Sequence, residues 1–521
     1  MNNAFILLVF SLVSGPAWAM EKNLVPTTQG LVRGQESNGV FSFKGIPFAQ
    51  PPVGDLRWRE SLPAKQWVGV RDASDYGAPC MQTENFNADG KVIGSEDCLT
   101  LNIWQPKDSA KPLPVMVFIY GGAFSWGSSR GRMGGVDIYD GTYLSSHGPA
   151  VVVTFNYRVG AFGFLAHPSL RTDGTSGNYG LSDQILALEW VQKNIANFGG
   201  DPARVMIFGE SAGAFSVLGL LTSPAAKGLF SRALLQSGSD IRDTAERAEK
   251  VGVDFAAAAG CEGEGQAKCL RALDQAEVMR ITKSFLHGQG AKLIFSPHVD
   301  GKIIPDFPLR ALRDGKYNRV PVVVGANADE MTILGLPIIS QKPIFLRKDY
   351  ESVVRQEFGE ELGNKVIEQY GKPVDRTSYG LLQDVFADNI FHCPAQQIAE
   401  VISRDQPGQA WRYVFSHSYH LDIWKILGAG HGLELSYVFH NFAPWYVPFR
   451  APNQKELELS ERMVGYWTRF AANGNPNADG EFGWRSYSAD TANYLDLELP
   501  LSEKSGYRAE ACAFWQNVSG Q

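Results

Sequence analysis

The chain has 521 residues, of which 44% are hydrophobic and 20% charged, and its formal net charge is −7. This composition is typical of a soluble globular protein with a large core, and it excludes disordered and fibrous classes. The acidic balance argues against nucleic acid and anionic membranes as partners. No linker, repeat or low-complexity tract interrupts the sequence, so we predict one large α/β domain over residues 20–521 with long insertions.

The first nineteen residues are a separate element. Residues 4–13 are almost entirely apolar, and Ala17-Trp18-Ala19 has the small-x-small pattern of a cleavage site. This pattern predicts a secretory signal peptide over residues 1–19, although the segment contains no Lys or Arg. An uncleaved anchor is the alternative, but the apolar run is shorter than the roughly 20 residues of a spanning helix. We therefore expect a secreted or periplasmic protein with no stable membrane insertion.

A predicted strand at residues 115–119 leads into glycine-rich backbone. The strand is a continuous apolar run, which is typical of a strand covered on both faces. The following Gly121-Gly122-Ala123 is similar to the His-Gly-Gly-Gly type of loop, whose amides can point at a tetrahedral oxyanion. A plain glycine turn is the alternative, but the position upstream of the serine motif favours an oxyanion hole.

Strand and helix patterns alternate after this loop. Residues 151–155 are apolar, and residues 182–196 form an amphipathic pattern that Gly199-Gly200-Asp201-Pro202 terminates. Such alternation is typical of a mainly parallel sheet with flanking helices.

The pentapeptide Gly209-Glu210-Ser211-Ala212-Gly213 has the Gly-x-Ser-x-Gly form that presents a nucleophilic serine. A predicted strand at residues 205–208 precedes it, and an apolar helix at residues 212–221 follows. The two glycines remove Cβ atoms that would clash where a strand turns sharply into a helix. A chance match is the alternative in a chain with 54 glycines, but the strand-turn-helix context favours a nucleophile.

A nucleophilic serine needs a histidine base and a carboxylate that orients the histidine. Where a strand-turn-helix motif presents the serine, the chain order is serine, acid, histidine. The histidines beyond the middle of the chain are His392, His417, His420, His431 and His440. Only His431 lies between glycines, in a segment suited to a cleft. His417 and His420 belong to an aromatic-rich segment and His440 follows an apolar run, so packing is the expected role of these three.

The acid is ambiguous from spacing. A predicted strand at residues 322–324 runs into Asp329 and Glu330, and Asp300 in a Val-Asp-Gly turn is a third candidate. Open α/β sheets place functional groups just past the carboxyl ends of their strands, but many such carboxylates only cap turns. The pattern does not separate Asp329 from Glu330.

These motifs together resemble the type-B carboxylesterases, the cholinesterase and carboxylesterase family of α/β-hydrolases. The resemblance spans essentially the whole mature chain, and further matches lie at residues 43–52, 96–104, 156–160, 177–184, 235–239 and 512–515. It implies an α/β-hydrolase fold with a large, mostly parallel central sheet flanked by helices and with long insertions that form an active-site gorge.

The resemblance also implies roles for individual residues. Ser211 would be the nucleophile, Glu330 the acid and His431 the base. The oxyanion amides would come from Gly122, Ala123 and Ala212. Two positions depart from the family pattern: Ala123 stands where many relatives have a third glycine, and Met331 follows Glu330 where glycine is common.

Six cysteines, an even number, fit an oxidising compartment. Sequence alone allows about 15 pairings, and the resemblance selects Cys80–Cys98, Cys261–Cys269 and Cys393–Cys512. No CxxC spacing or His/Cys cluster indicates a metal, and we expect no cofactor. Arg158 with Asp183, and Lys44 or a nearby base with Glu96, are interpreted as structural ion pairs.

The resemblance implies a serine carboxylesterase that acts through an acyl-enzyme on small-molecule esters. The alternatives are a non-catalytic cholinesterase-like interaction protein, which the complete triad disfavours, and a lipase for longer chains.

Substrate preference is predicted from three further residues. The disulfide loop at residues 81–97, which carries the choline-binding tryptophan in relatives, has no tryptophan, and Phe86 is its only aromatic residue. Glu210 beside the nucleophile is retained. Phe295 matches an acyl-pocket position that favours short acyl groups, although burial in the core is the alternative role. We expect uncharged esters with short to medium acyl chains as substrates.

Overall fold

The computed structural model describes residues 22–84, 90–133, 135–286, 293–334, 347–371, 377–418, 428–442 and 451–518. The predicted signal peptide, Phe86 and His420 therefore lie outside the described residues.

An eleven-stranded sheet forms the centre of the part of the chain that the structure describes. Its strands in chain order are β1 (Gln35–Ser37), β2 (Val40–Pro47), β3 (Thr100–Pro106), β4 (Leu113–Ile119), β5 (Val151–Phe155), β6 (Gly200–Glu210), β7 (Arg232–Gln236), β8 (Val322–Asn327), β9 (Ala410–Phe415), β10 (Asn493–Leu497) and β11 (Ser502–Ser505). The spatial order is β11-β10-β9-β8-β7-β6-β4-β5-β3-β2-β1. The pairings from β5 through β4 and β6 to β10 are parallel, and those at the two ends are antiparallel. The predicted large, mostly parallel sheet is confirmed.

Helices cover both faces of this sheet, as continuous apolar strands require. They are α1 (Thr142–His147), α2 (Gly160–Phe164), α3 (Tyr179–Asn194), α4 (Ala212–Thr222), α5 (Ala245–Ala258), α6 (Gln266–Ala272), α7 (Gln275–Leu286), α8 (Pro308–Arg313), α9 (Met331–Leu334), α10 (Arg347–Tyr370), α11 (Ser378–Ala387), α12 (Cys393–Asp405), α13 (Leu435–Val438), α14 (Gln454–Asn473) and α15 (Ala509–Val518). A π-helical turn, Asp388–His392, joins α11 to α12. The remaining strands form small two- and three-stranded sheets. They are Leu24–Pro26, Leu31–Arg33, Val70–Asp72, Gln82–Thr83, Val92–Ile93, Arg132–Met133, Val136–Asp137, Asp243–Thr244 and His298–Val299.

The predicted elements lie where the structure has helices and strands, although the ends of several differ. The helix predicted over residues 182–196 is α3, which begins at Tyr179 and continues into a 3-10 turn at Ile195–Phe198. Gly199 then adopts a left-handed conformation with φ 73°, which ends the helical segment as the Gly-Gly-Asp-Pro sequence predicts. Strand β5 has the predicted bounds, because its five residues are all buried and apolar or β-branched.

The sheet register brings the functional segments to one edge. Ile119 of β4 pairs with Gly209 of β6, and Glu210 at the end of β6 pairs with Gln236 at the end of β7. Gln236 in turn pairs with Gly325 near the end of β8. The carboxyl ends of these neighbouring parallel strands therefore meet at one edge, where open α/β sheets bind ligands.

Three disulfides join the residue pairs that the resemblance implies. Cys80–Cys98 and Cys261–Cys269 close short loops, and Cys393–Cys512 links the start of α12 to α15 across 119 residues. No cysteine in the described chain is free.

The predicted ion pairs are present, and of the two alternatives for Glu96 the structure has a base other than Lys44. Arg158 and Asp183 lie 2.8 Å apart and are both almost fully buried. The partner of Glu96 is Arg57 at 2.6 Å and not Lys44, whose ammonium lies 3.9 Å from Asp140. The sequence alone did not identify which base pairs with Glu96, because Arg57 and Glu96 are 39 residues apart and meet only through packing.

Candidate active site

Ser211 occupies the sharp turn between β6 and α4. Its backbone angles are φ 56° and ψ −127°, a conformation that non-glycine residues rarely adopt. The turn requires both flanking glycines: a Cβ on Gly213 would lie 1.9 Å from the Ile119 carbonyl oxygen, and one on Gly209 would lie 2.6 Å from the backbone of Gly213. The Ser211 N–H donates to the Gln236 carbonyl at 2.9 Å, which ties the turn to β7. The local sequence therefore holds the serine at the apex in a strained but fixed conformation.

Glu330 and His431 lie in contact on neighbouring segments. The Nδ1 atom of His431 is 2.5 Å from Glu330 Oε2, across 101 residues of sequence. The other carboxylate oxygen accepts from Ser237 Oγ at 2.6 Å and from the Asn327 N–H at 2.7 Å. Glu330 is fully buried, and these three groups give both of its carboxylate oxygens a hydrogen-bond partner. Because Nδ1 carries the proton donated to Glu330, Nε2 is the ring nitrogen available to accept another.

The Nε2 atom of His431 lies 3.1 Å from Glu210 Oε1. The two atoms are close but not aligned for a hydrogen bond, and both are buried without a hydrogen-bond partner among the described residues. No hydrogen bond joins Ser211 Oγ to His431 in this part of the chain. Catalytic hydrogen bonds are often long or misaligned before substrate binds. His431 Nε2 makes no hydrogen bond among the described residues, and its contact with Glu210 Oε1 is ionic only.

Charge within this buried site shifts several pKa values. Burial raises the pKa of Glu210, and Glu434 and Glu330 raise it further while His431 opposes the shift. Burial lowers the pKa of His431, but Glu210 and Glu330 outweigh that effect and raise its net pKa above the ordinary value. Burial and Glu330 likewise raise the pKa of Glu434. The protonation states of Glu210, Glu434 and His431 therefore depend on one another.

Asn327 connects these groups, and sequence reasoning did not identify it. Its side-chain amide donates to the Gly430 carbonyl at 2.7 Å and to Glu434 Oε2 at 2.6 Å, while its N–H binds Glu330. Its carbonyl lies 2.9 Å from His392 Nε2. The end of β8 thus holds both the acid and the loop that carries His431. The only signal in the sequence was its position at the end of a predicted central strand.

His392 belongs to a second buried network behind Asn327. Its Nδ1 lies 3.0 Å from Asp388 Oδ1, and Arg508 forms an ion pair with the same carboxylate. The Tyr370 hydroxyl donates to Asp388 Oδ2 at 2.8 Å. This network joins the C-terminal segment to the acid loop, and no local pattern in the sequence indicated it.

The remaining acid and histidine candidates have structural contacts. Asp329 is exposed and accepts from the Ala429 N–H at 2.9 Å, so it holds the histidine loop without touching the imidazole. Asp300 accepts from Asn178 and from backbone amides of its own turn. His417 binds Glu498 and His440 binds Ser460, as expected for packing roles.

The loop after β4 lies against Ser211. Gly122 has φ 109° and Ala123 has φ 52°, and a Cβ on Gly122 would lie 2.2 Å from the Trp126 carbonyl oxygen. A Cβ on Gly121 would lie 2.8 Å from Ser211 Cβ, which measures how closely the loop approaches the serine. In the described chain, the N–H groups of Gly122, Ala123 and Ala212 donate to no protein acceptor. These amides are therefore available to a ligand oxygen.

Aromatic side chains lie around the site. The Phe391 ring centroid is 4.9 Å from that of His431, and Phe215, one turn after Ser211, packs in the same cluster as Phe391 and Met331. Phe295 is 1% exposed and lies about 6 Å from Phe285 in an aromatic cluster with α5 and α7. Its predicted place in an acyl pocket stays a prediction.

Among the described residues, no helix is both long and apolar enough to cross a membrane, and no cluster of metal-ligating side chains is present.

The model of the carboxylesterase family matches residues 21–515. The chain is 37% identical over 476 residues to a fumonisin B1 esterase of Sphingopyxis macrogoltabida, covering 88% of this chain and 83% of that protein. It is 33% identical over 498 residues to the para-nitrobenzyl esterase of Bacillus subtilis strain 168, covering 94% and 98%. A solved thermophilic PNB esterase superposes with a TM-score of 0.84 at 31% identity, covering 95% of this chain and all of the other. The chain belongs to the carboxylesterase family, has the α/β-hydrolase fold and is a carboxylic-ester hydrolase.

Proposed function

We propose that this protein hydrolyses esters through an acyl-enzyme on Ser211, with His431 as base, Glu330 as the orienting acid and Gly122, Ala123 and Ala212 as oxyanion donors. The observation that carries the proposal is the set of three N–H groups beside Ser211 that donate to no protein acceptor in the described chain. Two of them belong to the loop after β4, where a Cβ added to Gly121 would lie 2.8 Å from Ser211 Cβ. Preorganised donors of this kind are each worth about 100- to 1,000-fold in rate.

The proposed reaction has two half-reactions. His431 Nε2 takes the Ser211 proton as Oγ attacks the ester carbonyl, and the three amides bind the resulting oxyanion. The imidazolium donates its proton to the leaving alcohol, and water then attacks the acyl-enzyme by the same route. Glu330 keeps Nδ1 protonated throughout, which supports the tautomer that the base requires.

Uncharged esters with short to medium acyl chains are the proposed substrates, and acetylcholine is a poor one. Support comes from the disulfide loop, which contains no tryptophan to bind a quaternary ammonium. A relative named for para-nitrobenzyl esters agrees with an uncharged substrate. The three disulfides and the predicted signal peptide support a secreted or periplasmic location.

The test is a chain-length series of p-nitrophenyl esters together with acetylthiocholine. We expect the highest kcat/KM at short to medium acyl groups and poor turnover of acetylthiocholine. An optimum at long chains would instead support a lipase, and acetylthiocholine as the best substrate would contradict the missing cation site.

Variants test the nucleophile and the base. Ser211→Ala and His431→Ala are each expected to lower turnover by about 10⁴- to 10⁶-fold, and combining them should add little, because such groups act as a unit. Ser146→Ala, which changes an exposed serine, is the matched control. Absence of both turnover and organophosphorus labelling in the wild type would favour a non-catalytic interaction protein.

A further inference from the structure

Both ring nitrogens of the buried His392 face oxygen acceptors. Its Nδ1 atom lies 3.0 Å from Asp388 Oδ1, and its Nε2 atom lies 2.9 Å from the Asn327 carbonyl oxygen. A neutral imidazole has one N–H and one bare nitrogen, whereas an imidazolium has an N–H at both positions. A neutral ring would turn a nitrogen lone pair towards one of the two oxygens. The two contacts therefore require a proton on each ring nitrogen.

The neighbours of Asp388 keep its carboxylate ionised. This fully buried group also accepts from Arg508 Nε at 2.7 Å and from the Tyr370 hydroxyl at 2.8 Å. Burial alone would raise the pKa of Asp388, but the hydrogen bonds from His392 and Arg508 outweigh burial and hold that pKa below its ordinary value. Asp388 therefore has no proton of its own to donate to the imidazole.

The charges around His392 balance when its ring is an imidazolium. Arg508 pairs with Asp388 and lies 3.7 Å from Asp384, so one guanidinium faces two carboxylates. The imidazolium supplies the second positive charge, and the set of four charges becomes neutral. Tyr507 packs against the imidazole with its ring nearly perpendicular, at 5.2 Å between centroids. Buried charges persist where they are paired and hydrogen-bonded in this way.

The second ring proton of His392 acts on the end of β8. It binds the carbonyl of Asn327, a residue whose N–H donates to Glu330 at 2.7 Å and whose side chain donates to the Gly430 carbonyl at 2.7 Å. Gly430 immediately precedes His431. One residue thus links the imidazolium to the catalytic acid and to the loop that carries the base.

The π-helical turn that ends at His392 meets the site at a second point. The ring centroid of Phe391 lies 4.9 Å from that of His431. Single π-helical turns are rare and are frequent at functional sites. This turn contacts the catalytic imidazole directly through Phe391 and the strand end beneath Glu330 through His392.

We propose that His392 is a positioning residue of the esterase, and that its imidazolium fixes the Asn327 main chain so that Glu330 meets the base in the catalytic orientation. The proposal rests on the triad of the proposed function. His392 touches no reacting atom, so its effect passes through Asn327. Glutamine in its place carries both N–H groups on one nitrogen and cannot donate from two sides of a ring.

The protonation of His392 is measured on the wild-type protein. Neutron diffraction from protein expressed and crystallised in D2O at neutral pH should show deuterium on both Nδ1 and Nε2. His440 is the reference in the same map, because burial and the nearby His147 lower its pKa and its ring should carry a single deuterium. A single deuterium on His392 would overturn the inference.

Two variants test the positioning role. His392→Gln should lower kcat for a neutral p-nitrophenyl ester by about 10- to 100-fold with little change in KM, because small displacements of catalytic groups slow the reaction. The downfield proton NMR signal of His431 Nδ1, identified by its loss in His431→Ala, should also move, since it reports the contact with Glu330. His417→Gln removes another buried histidine, which contacts Glu498 at 2.9 Å, and should change neither readout.

These variants can refute the inference in three ways. Folded His392→Gln with wild-type kcat and an unmoved His431 signal would exclude the positioning role, and so would a rise in KM alone. An equal loss of kcat in His417→Gln would show a general effect of destabilisation. If His392→Gln does not fold, the neutron map still decides the protonation on which the proposal depends. Wild-type turnover by Ser211→Ala would instead refute the proposed function and leave the deuterium positions unchanged.

Discussion

Replacing Glu330 with glutamine should disable the enzyme without altering its shape. Glu330 Oε1 accepts from Ser237 Oγ and from the Asn327 N–H, whereas Oε2 accepts only from His431 Nδ1. Glutamine has one acceptor oxygen and one NH2 group. Its oxygen will occupy the Oε1 position, because an NH2 there would face two donors, one of which is a fixed backbone N–H. The NH2 group then faces His431 Nδ1.

This arrangement forces the wrong tautomer on the imidazole. Nδ1 must accept from the new NH2 group, so the ring proton moves to Nε2, which then cannot take the proton of Ser211. A tautomer error of this kind costs about 10⁴-fold in kcat, or about 5.4 kcal/mol at 1.36 kcal/mol per tenfold. The loss should appear in kcat for a neutral p-nitrophenyl ester, while the thermal unfolding midpoint changes little.

Asp329→Asn is the matched control for this change. Asp329 is exposed and accepts from the Ala429 N–H, and asparagine keeps an oxygen that can do the same. We expect less than about a tenfold loss of kcat, since at most one hydrogen bond weakens. Retention of more than about a tenth of the activity by Glu330→Gln would refute the tautomer argument. A larger loss in Asp329→Asn than in Glu330→Gln would move the acid to Asp329.

Three further outcomes are expected. Glu210→Gln removes a negative charge that raises the pKa of His431. Because the base acts when neutral, the rising limb of the plot of kcat/KM against pH should move to lower pH, and an unchanged limb or a move to higher pH would contradict this. Replacing both Cys393 and Cys512 with alanine opens a 119-residue loop and should lower the free energy of unfolding in denaturant titrations by about 4 to 5 kcal/mol. Six free thiols in the exported wild-type protein would contradict the pairing. Arg158→Met leaves a buried carboxylate unpaired and should destabilise the fold by about 3 to 5 kcal/mol; a shift below about 1 kcal/mol would argue against a structural ion pair.

The sequence by itself determined the elements whose causes are local. The apolar run of β4, the five buried residues of β5 and the glycine that ends the segment after α3 could all be read from neighbouring residues. The glycines around Ser211 were also readable, because a strand that turns directly into a helix needs them whatever surrounds it. Family membership followed from motifs distributed along the chain, and the match over residues 21–515 confirms it.

Only the tertiary structure decided which distant groups meet. Asp329 and Glu330 are adjacent and chemically alike, yet only Glu330 is buried against His431, because the end of β8 turns one carboxylate inward and leaves the other exposed. The partnership of Glu96 with Arg57 likewise depends on packing between distant segments. Periodicity and turn chemistry act over a few residues, whereas these contacts depend on sheet register and on which donors remain to satisfy a buried charge.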